Sequence, residues 1–71
     1  MPIITMTGPI ISLEQKRELA QRLTKVASEV YQRSPSEIIV IIRENQPENV
    51  AIGGHLRADK IVHSAEEVEN A

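Results

Sequence analysis

Ile38-Ile39-Val40-Ile41-Ile42, running into Arg43-Glu44, decides the fold. The run has no polar alternation, and an unbroken β-branched segment of this length reads as a strand buried on both faces, the habit of a parallel sheet. Upstream, Ser34-Pro35-Ser36-Glu37 is a stop signal, because proline disfavours helical geometry in the residue before it. Ser34 with Pro35 behind it also fits one capped helical turn. Before that stop, the segment from Ser12 to about Arg33 reads as a helix. Ser12 and Gln15 have capping-box spacing, and Leu19, Leu23, Val26, Ala27 and Val30 recur every three or four residues. Lys16, Arg17, Arg22, Lys25 and Glu29 fall mostly on the other side of that helix. Cations in its first turn, Lys16 and Arg17, are mildly unfavourable with the helix dipole. At the start of the chain, Pro2-Ile3-Ile4-Thr5-Met6-Thr7 reads as a first strand that Gly8-Pro9 ends.

Strand, helix, strand makes a right-handed β-α-β unit. The expected fold class is therefore α/β: a two-stranded parallel sheet and one long helix. One helix covers one face of such a sheet, and the other face of Ile38–Ile42 is left bare. Soluble monomers do not leave large apolar patches open, so a second copy should cover it. The size of the chain points the same way. Its 71 residues form one small domain, which needs a staple, a metal or partner subunits. Without cysteine there is no disulfide, and two histidines alone, His55 and His63, do not make a structural metal site. An obligate homo-oligomer remains.

Composition excludes other classes. Net charge is −2, the eight basic residues are scattered, and Tyr31 is the one aromatic residue, so a nucleic-acid surface is not expected. No apolar run approaches the roughly 20 residues of a membrane span. With no cysteine and no secretory segment, the expected location is the cytoplasm. Asn45-Gln46-Pro47-Glu48-Asn49 reads as a loop, and Val50-Ala51-Ile52 as a hairpin arm or edge strand before Gly53-Gly54. The domain is expected over residues 2–56. A partly helical or frayed tail follows over 57–71, its last six residues frayed.

Met1-Pro2 is the chemical signal. An initiator methionine is usually trimmed before a residue as small as proline, and trimming would expose a secondary amine on a strand. An α-amine titrates near ~7.7–8.0 unless burial or neighbouring cations lower it. A group half deprotonated at working pH suits a general base or nucleophile.

Together, Met1-Pro2 on a strand, Ser12-x-Glu14-Gln15-Lys16 opening a long helix, the Ile38–Ile42 strand ending in Arg43-Glu44, and Val50-Ala51-Ile52-Gly53-Gly54 resemble the 4-oxalocrotonate tautomerase family. The similarity runs from Pro2 to about Leu56, and its specificity lies in the order and spacing of these motifs. The resemblance implies a β-α-β subunit assembled as a hexamer, a trimer of dimers. It implies a catalytic Pro2 that, without any cofactor or metal, moves a proton on a small 2-oxo or enol acid.

That chemistry needs donors at the dienolate oxygens. In the best-known members two arginines and an aromatic residue help supply them. The family pattern places Ile11, Ile39 and Val50 at those positions, with a first loop one residue shorter, so the family's substrate does not carry over. Ile11, Ile39, Val50 and Ile52 would line an apolar substrate cavity, and desolvation there would favour the free base of Pro2. Arg43 shares a strand face with Ile39 and Ile41. It either grips a substrate carboxylate in a neighbour's cavity or pairs with a nearby acid. Two other enzyme readings use the same proline, as an imine-forming nucleophile or as an ammonium acid for hydration or dehalogenation. A non-catalytic oligomeric module, with Pro2 purely structural, stays open beside them.

Overall fold

The computed structural model describes residues 1–63, with side chains to Lys60. Residues 64–71, where the frayed end was expected, lie outside the described residues. Strand β1 (Ile3–Gly8) pairs in parallel with strand β2 (Ile39–Glu44), Ile3 opposite Ile39 and Gly8 opposite Glu44. The ladder is closed at both ends. Ile39 N–H donates to the Pro2 carbonyl at 3.0 Å, and Asn45 N–H donates to the Gly8 carbonyl at 2.9 Å.

Helix α1 (Leu13–Tyr31) makes the crossover. Ser12 and Gln15 form the reciprocal capping box, with the Gln15 amide donating to the Ser12 hydroxyl at 3.1 Å and the Ser12 amide donating to the Gln15 side chain at 2.9 Å. Gln32 ends the helix in the left-handed region at φ 55°, a position more often held by glycine. The expected turn follows: Ser34 caps a 3₁₀ turn over Pro35–Glu37.

Helix α1 packs on β2, and its inward positions include Leu19, Ala20, Leu23 and Ala27. The expected apolar face is therefore only partly right. Val26 and Val30 are 58% and 76% exposed, while Lys16 is drawn inward. The sheet is two strands wide, and the apolar stripe of the helix is wider than the surface it meets.

Along β2, Val40 and Ile42 are half-buried towards the helix, and Ile39, Ile41 and Arg43 are exposed on the opposite face. The second covering expected for Ile38–Ile42 is thus not supplied by the described residues. Ile3 extends the same open face from β1. Ala27 is the one buried hydrophobic residue among those described.

After β2, Pro47–Asn49 forms a second 3₁₀ turn where a plain loop was expected. Pro47 at its first position is the same signal as Pro35. Strands β3 (Ala51–Ile52) and β4 (His55–Leu56) then form a two-residue hairpin. Gly53 and Gly54 take φ 60° and 84°, the geometry such a turn demands. Helix α2 (Arg57–His63) follows at once, its first amide donating to the Val50 carbonyl at 2.8 Å. Among the described residues no helix is long and apolar enough to cross a membrane, and no cluster of potential metal ligands is found.

Candidate active site

Pro2 stands half-buried at the mouth of the parallel ladder. Its carbonyl accepts the Ile39 amide, which fixes the residue, and its ring nitrogen has no hydrogen to give to the sheet. Met1 is 80% exposed, and the ladder bonds begin at the Pro2 carbonyl rather than at Met1. Removing Met1 would therefore leave the strand intact and its first nitrogen unblocked.

The other expected site residues are not gathered around this nitrogen. Ile39 lies beside it, opposite Ile3 on the open face. Ile11, Arg43 and Val50 belong to the far end of the sheet. Six residues of β1 separate the two ends, roughly 16 Å at ~3.3 Å per residue. Ile52 projects from the hairpin and is largely exposed. Arg43 stands opposite Thr7 on the open face and forms no ion pair with a described residue.

The far end has a built electrostatic anchor. Glu44, the last residue of β2, accepts from Lys16 Nζ at 2.7 Å and from the Ile11 amide at 2.8 Å. These bonds, the lysine first, hold the Glu44 carboxyl below its ordinary value. They also explain why a cation occupies the first turn of α1. Lys16 opposes the helix dipole but ties the start of the helix to the end of the strand. Its position against the dipole was the signal in the sequence, although its partner 28 positions away was not legible.

Beside this anchor opens a cavity of about 500 Å³. Pro9, Ile10, Pro47 and Val50 give it apolar walls, and Thr7, Asn45 and Arg57 bring polar groups. Of the expected site residues only Val50 borders it. The sequence reads Arg57 as a solvated tail residue, with a neighbour's active-site mouth as the alternative, because nothing in local spacing places the residue after the hairpin against the end of β1. The Val50–Arg57 backbone bond does so. A larger groove along the outside of α1, near Gln21, Lys25 and Pro35, is shallow and holds none of the expected residues.

These features agree with the comparisons. A family model described as "Tautomerase enzyme" matches residues 3–60. Among solved structures, a 4-oxalocrotonate tautomerase homologue (TTHB242) is 35% identical, with a TM-score of 0.78 over 83% of this chain and 95% of that one. DmpI from Archaeoglobus fulgidus is 43% identical, with a TM-score of 0.73 over 82% of this chain and 100% of its own. A heterohexameric 4-oxalocrotonate tautomerase from Chloroflexus aurantiacus is 29% identical, with a TM-score of 0.69, covering 83% and 95% of the two chains. No curated protein matches. The β-α-β subunit, the order of its motifs and a family match over most of its length agree, and the chain belongs to the tautomerase family.

Proposed function

We propose that the protein is a tautomerase of small 2-oxo or enol acids, with Pro2 as general base once Met1 is removed. The observation that supports this most is the position of Pro2, pinned by its carbonyl while its nitrogen stays outside the ladder. The free amine takes a proton from the substrate, leaving a conjugated enolate, and the resulting ammonium returns that proton at another carbon. No atom is gained or lost, and the amine is regenerated. General acid–base catalysis of this kind is typically worth about 10²–10⁴ in rate.

The site is completed by a second copy in this reading. In a two-stranded sheet β1 is an edge strand, with backbone groups free to pair. A two-fold axis pairs two such edges antiparallel, setting the start of one β1 beside the end of the other. Pro2 of one subunit then faces the Thr7–Ile10 end of its neighbour. The open face bearing Ile3, Ile39 and Ile41 supports further association. The Chloroflexus relative is a heterohexamer, and we extend a hexameric assembly to this chain as a homo-oligomer.

Intact mass should show loss of Met1. Pro2→Ala should then lower kcat/KM for phenylenolpyruvate or 2-hydroxymuconate by about 10²-fold. Equal rates for the two proteins would remove Pro2 from the chemistry.

A further inference from the structure

Arg57 is the charged side chain bordering the cavity at the far end of β1, and it forms no ion pair with a described residue. Glu44, at the same end of the sheet, is already engaged by Lys16 and the Ile11 amide. Arg57 is itself exposed, and the walls beside it, from Ile10, Pro47 and Val50, are apolar; a second copy closing over them would exclude water and strengthen a charge pair. At about 500 Å³ the cavity lies within the usual range for small-molecule sites. Arg43, the other arginine on this end, stands on the open face of β2 and does not border the cavity.

We propose that Arg57 is the carboxylate-binding residue of the active site, gripping a small 2-oxo or enol acid whose reacting carbon meets the Pro2 nitrogen of a second copy. This rests on the tautomerase reading and on the antiparallel pairing of β1 edges given above. A planar guanidinium holds a carboxylate through two parallel N–H···O bonds, which fixes orientation as well as affinity. Thr7 and Asn45 add a hydroxyl and an amide on the same cavity, placed to orient the rest of the acid. The apolar residues at positions 11 and 39 thus leave the site with a cation, supplied from after the hairpin instead of from the first loop and the second strand. One carboxylate at one end, a short apolar body, and a reacting carbon at the other describe a monocarboxylic substrate.

The test compares Arg57→Ala, Arg57→Lys and Pro2→Ala, with phenylenolpyruvate and its methyl ester as paired substrates. Arg57→Ala should raise KM for the acid about tenfold to a hundredfold and leave that for the ester unchanged, with Arg57→Lys between. Equal losses on acid and ester, or no loss on either, would overturn the assignment. Binding of phenylacetate, which cannot tautomerise, separates this proposal from the one it rests on. Arg57→Ala should lose that binding whether or not Pro2 is the base, and retained binding would refute the arginine's role alone. Co-assembly of Pro2→Ala with Arg57→Ala subunits tests sharing between copies. Mixed oligomers should regain activity on the acid at about a quarter of their sites. No regain would place both groups in one chain and overturn the shared site.

Discussion

At the scale of single residues, the clearest consequence lies with Glu44. Its carboxyl is held below the ordinary value near 4.5 by the Lys16 ammonium and the Ile11 amide. A depressed carboxyl stabilises the fold fully above the unfolded value, and that contribution is lost as pH falls through the folded one. Urea midpoints measured downward from about pH 6 should therefore fall below about pH 4.5 in the wild type, and less steeply in Glu44→Gln. Parallel acid limbs for the two proteins would show that the anchor carries no linkage. This residue was also the least legible. Lys16 could be seen to sit badly with the helix dipole, but only the register of β2 reveals what it reaches. Pro2 stands out for a local reason, Met1-Pro2 at the head of a strand, and its role as base is part of the proposal.

At the scale of elements, the hairpin isolates a backbone effect. Gly53 and Gly54 have positive φ, and a Cβ at either would meet nothing within 4 Å. Substitution there costs conformational energy without a clash. Gly53, at φ 60°, should tolerate asparagine, whereas Gly53→Val should destabilise by about 1–2 kcal/mol, read from thermal melts. Equal stability of the two variants would mean that the turn relaxes to another geometry. The two strands, the capping box and both stop signals follow from short-range rules, so each was readable from the residues. Val26 and Val30 show where such rules run out. A three-to-four periodicity identifies an apolar stripe but not which part of it a two-stranded sheet can cover. The second 3₁₀ turn carried a usable signal in Gln46-Pro47, matching Ser34-Pro35. Arg57 was legible only as a tail cation, with a neighbour's site as the alternative, because its place beside the end of β1 depends on the hairpin folding back through the Val50–Arg57 bond.

At the scale of the whole molecule, the described residues leave an apolar surface for a second copy to cover in the proposed assembly. Among the described residues the sheet has one bare face, and the expected site residues stand at opposite ends of a strand. Ile41, 39% exposed in the middle of that face, is the natural probe. Ile41→Asn would place an unpaired amide in an apolar layer and should dissociate or unfold the assembly. Sedimentation of a stable, folded wild-type monomer at micromolar concentration would contradict the buried-sheet argument. In the proposed assembly a neighbour's apolar cavity wall would disfavour the Pro2 ammonium and so favour the free base. Nitrogen-15 NMR titration of Pro2 in the assembled protein is the most direct test. A single secondary-amine resonance with its midpoint at or below about pH 7 is the predicted result. A nitrogen still acylated by Met1, or a midpoint well above the ordinary α-amine range near ~8, would contradict proline as the base.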